Sequence, residues 1–78
     1  MRAIIQRVSS ASVTVDNKPI SQIGRGLMVL LGVETDDGEK DINYICQKII
    51  NLRVFEDDDD VMNLSVADIG GELMIVSQ

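Results

Sequence analysis

The stretch Leu27-Met28-Val29-Leu30-Leu31-Gly32-Val33 decides the fold, because it is nearly all apolar and stands between turns that contain glycine. Periodicity alone does not distinguish a short helix from a strand here, but Val29, Val33 and the flanking glycines favour a strand. A strand without polar alternation is buried on both faces. We therefore predict that Leu27–Val33 is a core strand.

The residues before this stretch predict three more strands. Ala3–Val8 forms the first, and Ala11–Val15 alternates small or polar residues with valine. The segment Asp16-Asn17-Lys18-Pro19 has the composition of a turn. Ile20–Ile23 then returns as a short strand, and we expect it to pair with Ala11–Val15 in a hairpin.

The residues after the central strand predict one amphipathic helix. Asp36 and Glu39 have the spacing of a capping box, and the helix should run from about Glu39 to Asn51 or Leu52. Apolar residues then recur at helical spacing on one face: Ile42, Ile45, Cys46, Ile49 and Ile50. Because a free cysteine is usually buried, we predict that Cys46 is part of the core.

The last third of the chain predicts short strands and turns. Arg53–Phe55 is a brief strand, Val61–Val66 is irregular or a short strand, Ala67–Gly71 is a turn and Glu72–Gln78 is the closing strand. We expect four further apolar residues in the core: Met28, Phe55, Met62 and Met74. The sequence thus predicts a single domain over residues 1–78, of the α+β class, with a small, β-rich, barrel-like sheet and one helix packed on it.

Composition excludes several classes of function. The net charge is −6, and seven Lys and Arg residues are scattered along the chain, so a long basic nucleic-acid surface is absent. Cys46 is the only cysteine and there is no His, which argues against disulfides, a structural zinc site and a Ser–His triad. No stretch has the apolar length of a membrane span. We expect a soluble, cytosolic protein without cofactor or metal, whose small core is supplemented by a partner chain.

Four features were weighed as candidate sites. The acidic run Glu56–Asp60 lacks the spacing of a calcium loop, so we predict a solvated loop. Gly24-Arg25-Gly26 precedes a strand rather than a helix, so a turn is favoured over a phosphate site. Arg7 shares a strand face with Ile5, where it is either a rim residue or a fixed donor that holds a loop. The terminal Ser77-Gln78 pair is either a plain strand end or the rim of a pocket.

Several blocks of this sequence together resemble the D-aminoacyl-tRNA deacylase family, also called the D-tyrosyl-tRNA deacylase family. The resemblance covers essentially the whole chain, in order. Its blocks are Ile4–Val8, Ala11–Val15, Ile23–Val33, Leu52–Phe55, Met62–Leu64 and Leu73–Gln78. Members are homodimeric, cytosolic and β-rich, and they hydrolyse the ester between a D-amino acid, or glycine, and the 3′-terminal adenosine of tRNA.

The resemblance implies roles for three residues. Ser77 and Gln78 match the start of the family's Ser-Gln-x-Thr signature, which implies that they are catalytic and help to bind the terminal adenosine and the ester. Arg7 matches an arginine that holds the chirality-checking loop, which implies a substrate-binding role. The chemistry is then ascribed either to the signature threonine or to the 2′-hydroxyl of the substrate, and both fit a chain without His.

The resemblance also implies that the domain is incomplete. Family members are about twice as long, and neither the signature threonine nor the later Gly–cis-Pro segment, which excludes L-amino acids, is in this sequence. We therefore predict the N-terminal half of a deacylase, with a homodimer partner or a complementary chain supplying the remainder. The alternatives are a non-catalytic fragment that acts only as an assembly partner, and a small β-rich interaction module.

Overall fold

The computed structural model describes residues 1–77 and confirms the α+β class. In chain order the elements are β1 (Arg2–Val8), β2 (Ala11–Val15), β3 (Lys18–Ile23), β4 (Gly26–Gly32), α1 (Glu39–Asn51), β5 (Phe55–Glu56), β6 (Met62–Leu64) and β7 (Glu72–Ser77). The strands divide among three open sheets, in the orders β1-β4-β7, β2-β3 and β5-β6, rather than closing into one barrel.

The apolar stretch around Leu27 lies at the centre of the largest sheet. β4 pairs antiparallel with β1 on one side and parallel with β7 on the other. Parallel neighbours need a long crossover connection, and α1 with the small β5-β6 sheet supplies it between β4 and β7. The predicted core strand is therefore confirmed, with bounds shifted one residue toward the N-terminus.

The predicted hairpin is also confirmed. Asp16 and Asn17 have φ of 51° and 66°, which is the left-handed geometry of a two-residue turn that matches strand twist. β3 begins at Lys18, earlier than expected, and Pro19 pairs with Thr14 next to a register shift. A bulge of this kind tolerates proline, which has no N–H to donate.

The turn between β3 and β4 holds the start of β7. Gly24 N–H donates to Glu72 Oε1 at 3.0 Å, and Glu72 N–H donates to the Arg25 carbonyl at 3.1 Å. A Cβ at Gly26 would lie 1.8 Å from the Glu72 carbonyl oxygen, so only glycine allows this approach. The predicted turn is confirmed, and its glycine has a packing role.

The core lies between one face of the largest sheet and α1. Its buried members are Leu27, Val29, Ile49, Phe55 and Val66. Ala3 and Ile5 on β1 and Ile45 on α1 are half-buried against this cluster. On the opposite face of β4, Met28 and Leu30 are only half-buried. The prediction that β4 is buried on both faces is therefore confirmed on the side that faces α1 and is only partly correct on the opposite side.

The helix has the predicted bounds but buries less than predicted. Cys46 is exposed, which overturns its assignment to the core, and Ile42 and Ile50 are 48% and 39% exposed. The physical reason is that α1 meets the core through Ile45 and Ile49, whereas Cys46 and Ile50 lie on the adjacent flank and Ile42 lies in the first turn of the helix, outside the core cluster. Within residues 1–77 this flank faces solvent.

Two smaller predictions were wrong. The cap of α1 is formed by Asp41, whose carboxylate accepts the Gly38 N–H at 3.0 Å, rather than by Asp36 with Glu39. Met62 is 56% exposed instead of buried, because β6 pairs only with the two-residue β5. Phe55 and Met74 are buried as expected.

The molecule is thin, with principal extents of 42 × 36 × 15 Å. Its solvent-accessible surface is 5816 Å², whereas a monomer of this size is expected to expose about 4,700 Å². Within residues 1–77, eleven large hydrophobic side chains are exposed. One layer of sheet with one helix therefore leaves apolar surface uncovered. The helix of the described part is not long and apolar enough to cross a membrane.

Candidate active site

Ser77 lies at the end of β7, where it pairs with Leu31 of β4. Alternation along the strand places it on the same face as Leu73 and Ile75, and all three are exposed. The predicted strand end is therefore present and accessible. Gln78, the other predicted catalytic residue, lies outside the described residues.

A cleft of about 340 Å³ separates β7 from the β2-β3 hairpin. Its lining residues are Val13, Ile20, Ser21, Leu73, Met74, Ile75, Val76 and Ser77. Among the described lining residues, the only polar side chains are the hydroxyls of Ser21 and Ser77, and none is an acid or a base. Because a serine nucleophile needs an adjacent base, this arrangement favours a hydroxyl that positions a ligand by hydrogen bonding.

Arg7 lies at a second cleft, of about 310 Å³, on the opposite end of the sheet. Its Nη1 donates to the Val54 carbonyl at 2.8 Å, which ties β1 to the segment between α1 and β5. Arg25 also lines this cleft, with its guanidinium 5.3 Å from the centre of the buried Phe55 ring. Arg7 is thus a fixed donor that holds a neighbouring segment, one of the two alternatives weighed from the sequence.

The structure does not bring Arg7 and Ser77 together. Arg7 pairs with Leu27 and Ser77 with Leu31, on opposite sides of β4. Strand geometry then separates them by roughly 13 Å along the sheet and about 10 Å across it. A small substrate bound at Ser77 does not reach Arg7 of the same chain.

The acidic run Glu56–Asp60 forms a self-contained loop. Asp57 accepts N–H groups of Asp59 and Val61 at 2.9 and 3.1 Å, and these backbone hydrogen bonds lower the pKa of its carboxyl. The other four acidic side chains are exposed, as predicted. In residues 1–77 no group of three His, Cys, Asp or Glu side chains is placed to hold a metal ion.

The groups with shifted pKa values lie away from both clefts. A hydrogen bond from the Met1 ammonium lowers the pKa of Asp37, and hydrogen bonds with Ser65 lower that of Asp68. None of these residues lines the cleft at Ser77 or the cleft at Arg7. Shifted pKa values, which often mark active sites, here mark loop structure.

Sequence reasoning missed Arg25 and Glu72. Each acts through a contact between segments far apart in the sequence: Arg25 stacks on Phe55, and Glu72 binds the Gly24 N–H. The available signal was the glycine pair around Arg25, which indicated a tight turn but not what packs against it. The Glu72 contact depends on the parallel pairing of β4 with β7, and the Arg25 contact on the position of β5. Local patterns encode neither.

The fold and clefts define a class: a small α+β domain that presents a serine hydroxyl at one strand end and guanidinium groups at another. Comparison with known sequences gives the family. The sequence profile of the D-Tyr-tRNA(Tyr) deacylase family matches residues 4–78. The chain therefore belongs to that family, as the sequence resemblance predicted.

Individual relatives agree with this assignment. D-aminoacyl-tRNA deacylase of Clostridioides difficile strain 630 is 62% identical over 78 residues, covering 100% of this chain and 52% of the relative. The enzyme of the same name from Flavobacterium psychrophilum is 56% identical with the same coverage. The chain thus spans about half the length of the curated relatives it matches, as predicted.

A solved structure confirms the fold. The protein described as c-Myc DNA Unwinding Element Binding Protein superposes with a TM-score of 0.96 at 48% sequence identity. The match covers 100% of this chain and 53% of that chain. The arrangement of β1 to β7 is therefore that of one half of a larger known structure.

Proposed function

We propose that this chain forms part of the active site of an enzyme that hydrolyses the ester of D-aminoacyl-tRNA and thereby proofreads the chirality of charged tRNA. The observation that carries the proposal is the family match, which extends through β7 to the strand end where Ser77 lines an open cleft. Relatives that share this whole stretch are named D-aminoacyl-tRNA deacylases. The proposal needs no cofactor.

Ser77 and Gln78 hold the 3′-terminal adenosine and the ester in this proposal. Water adds its oxygen to the ester carbonyl carbon, the bond to the 3′-oxygen breaks, and a free D-amino acid and the tRNA 3′-hydroxyl are formed. Since residues 1–77 bring no acid or base to the lining of the Ser77 cleft, the Ser77 hydroxyl orients the ester and does not attack it in this proposal. The 2′-hydroxyl of the substrate is a suitable group to assist the attack.

Arg7 requires a second polypeptide in this proposal. It lies too far from Ser77 to share a small ligand within one chain, so a homodimer partner or a complementary chain completes the site. Arg7 then braces the segment that checks chirality. Contact restricted to the 3′ end of tRNA is compatible with a net charge of −6. A lone free cysteine and a tRNA substrate support a cytoplasmic location.

The test is release of D-tyrosine from D-tyrosyl-tRNA by the 78-residue chain, alone and with the second half of a relative added as a separate chain. L-tyrosyl-tRNA is the control substrate. We expect D-selective release only with both halves present, and loss of release with Ser77→Ala but not with the exposed Ser12→Ala. Equal release from the L-ester, or release that survives Ser77→Ala, would contradict the proposed roles.

A second function is favoured by the uncovered surface. The chain exposes about 1,100 Å² more than expected for its size, including Leu73 and Ile75 on β7 and Ile42 on α1. These features suit a non-catalytic piece that assembles with a complementary chain. Melting temperatures that rise with protein concentration, without any hydrolysis in the two-chain mixture, would favour this function over catalysis.

A further inference from the structure

The outer side of α1 carries a third cleft, of about 490 Å³, which neither candidate site uses. It is lined by Tyr44, Gln47, Lys48, Asn51, Leu52 and Arg53. The first four fall on one helix face, at i, i+3, i+4 and i+7, which points away from the side that packs on the sheet. The cleft is therefore a surface feature that core packing does not explain.

The charge of this cleft is opposite to that of the chain. The sequence has 13 acidic and 7 basic residues, yet the lining contains Lys48 and Arg53 and no acid. Asp41 lies about one turn before Tyr44, but its carboxylate accepts the Gly38 N–H at 3.0 Å at the start of the helix.

The two cations of the lining differ in their surroundings. Arg53 also faces Asp68, whose pKa is lowered by hydrogen bonds with Ser65 and then by the Arg53 charge, and it donates to Asn63 Oδ1 at 3.4 Å. Within residues 1–77, Lys48 is therefore the cation of this lining that is not engaged with an acid. A cationic lining on an acidic protein points to an anionic ligand.

The cleft also presents an aromatic ring to solvent. Tyr44 is 62% exposed, and the Lys48 ammonium lies 5.5 Å from its ring centre. The Asn51 side-chain amide donates to the Gln47 backbone carbonyl at 2.8 Å, which orients the Asn51 side chain on the same helix face. An exposed ring beside cations is the combination by which proteins bind single-stranded nucleic acid, with bases stacked on the ring and phosphates near the charges.

We propose that this cleft binds a nucleotide of single-stranded RNA, with the base stacked on Tyr44 and the adjoining phosphate at Lys48 and Arg53. The inference rests on the proposed function, because a tRNA substrate brings an unpaired 3′ strand to the protein. It adds a contact outside the ester site, on a different element from Ser77 and Arg7. The competing explanation is that the Tyr44–Lys48 pair only stabilises the exposed helix.

The composition of the chain allows a direct test. Tyr44 is the only tyrosine and there is no tryptophan, so intrinsic fluorescence reports on this ring alone. Oligouridylate RNA is titrated in, with N-acetyltyrosinamide as the inner-filter control, and the anisotropy of a labelled oligouridylate measures total binding in parallel. We expect saturable quenching with the same midpoint as the anisotropy change. Binding without quenching would place the RNA elsewhere and overturn the inference.

Variants separate stacking from charge. Tyr44→Ala should weaken RNA binding about tenfold, whereas Tyr44→Phe should retain it. Lys48→Gln should weaken binding and reduce the slope of log K against log salt by about 0.7, and the exposed Lys18→Gln is the matched control. Far-UV circular dichroism checks that each variant keeps its helix. Equal binding by Tyr44→Ala and Tyr44→Phe would overturn the inference even if the fold is intact.

Failure of RNA binding at Tyr44 can be distinguished from failure of the proposed hydrolase function. Oligouridylate carries no ester, so binding and quenching are measured without catalysis. Absence of RNA binding together with D-selective ester release in the two-chain assay would overturn this inference alone. RNA binding at Tyr44 without any ester release would leave the cleft assigned and contradict the hydrolase.

Discussion

β4 and β7 lie side by side in one sheet, but their helix-side residues have opposite environments. Leu27 and Val29 of β4 are 0% exposed, whereas their register partners Leu73 and Ile75 of β7 are 37% and 58% exposed. Both strands have an apolar centre, Leu27–Leu31 in β4 and Leu73–Val76 in β7. The difference comes from the position of α1, whose Ile45 and Ile49 contact the β1-β4 side of the sheet.

This contrast separates residues that hold the domain together from residues available for assembly and binding. The covered half of the sheet is held by apolar burial and by a short tie such as Arg7 to Val54. The β7 half has its candidate functional residue, Ser77, on the same exposed face as two hydrophobic side chains. The ester site is therefore proposed on the part of the sheet that α1 leaves uncovered.

The largest expected effect tests the contrast with one substitution at two paired positions. Leu27→Ala should lower the free energy of unfolding by about 2–5 kcal/mol, because it removes a fully buried side chain from the core. Leu73→Ala should lower it by less than about 1 kcal/mol, since its side chain is already partly in water. Urea denaturation of the 78-residue chain measures both. Equal losses would show that β7 is packed as β4 is.

A second substitution tests how β7 is attached to the sheet. Gly26→Ala places a methyl group 1.8 Å from the Glu72 backbone oxygen, so the two strands must separate where β7 begins. We expect a loss of about 1–3 kcal/mol or complete unfolding. Gly32→Ala, in the same strand, is the control, because a Cβ there meets only the Arg2 carbonyl oxygen at 3.8 Å, an ordinary van der Waals contact. Amide hydrogen exchange should show protection lost first in β7, and uniform loss would contradict this attachment.

Local patterns in the sequence were sufficient for most of the elements. The apolar run of β4, the hairpin turn and the helical spacing of α1 each depend on neighbours within a few residues. Each was predicted, although the turn is the two residues Asp16 and Asn17 and not the four of Asp16–Pro19. Cys46 and Met62 were assigned to the core wrongly, because periodicity identifies an apolar face but not whether another element covers it. Burial is a property of the assembled layers.

The candidate site was less predictable than the fold. Strand alternation left Arg7 as either a rim residue or a fixed donor, because its acceptor, the Val54 carbonyl, is 47 residues away in the sequence. The distance between Arg7 and Ser77 follows from the order β1-β4-β7, which includes a parallel pairing that no local turn specifies. The cleft around Tyr44 is lined by one face of α1 and by the residues that follow the helix. Predicting this cleft would have required the position of the helix end.

A smaller effect is expected at the tie that holds the covered half of the sheet. Arg7→Met keeps most of the apolar stem but removes the hydrogen bond to the Val54 carbonyl, so stability should fall by about 1 kcal/mol. Arg2→Met, at an exposed position on the same strand, is the control. Urea denaturation of both variants measures the difference. If the two variants lose equal stability, the hydrogen bond does not contribute to holding β1 against the segment before β5.

The smallest expected effect concerns an ion pair just beyond the end of β4. Among residues 1–77, no ion pair of this kind is seen at β7. The Met1 ammonium lies 2.9 Å from Asp37 Oδ2, and the two side chains are 4% and 10% exposed. The hydrogen bond from the ammonium, followed by the Glu34 N–H, lowers the pKa of Asp37 below 3.8, and the same pairing raises the pKa of the ammonium above 8.0.

The sign of the pH dependence follows from these two shifts. Because folding lowers the pKa of the Asp37 carboxyl, its stabilising contribution is fully present above the pKa of the unfolded chain. That contribution is lost as pH falls through the pKa of the folded chain. Because folding raises the pKa of the Met1 ammonium, its stabilising contribution is fully present below pH 8.0. That contribution is lost as pH rises through the pKa of the folded chain. The contribution of the pair should therefore be complete between about pH 5 and 7. Thermal melts of the chain and of Asp37→Asn should differ most in that window and converge outside it, and a constant difference at all pH values would contradict the ion pair.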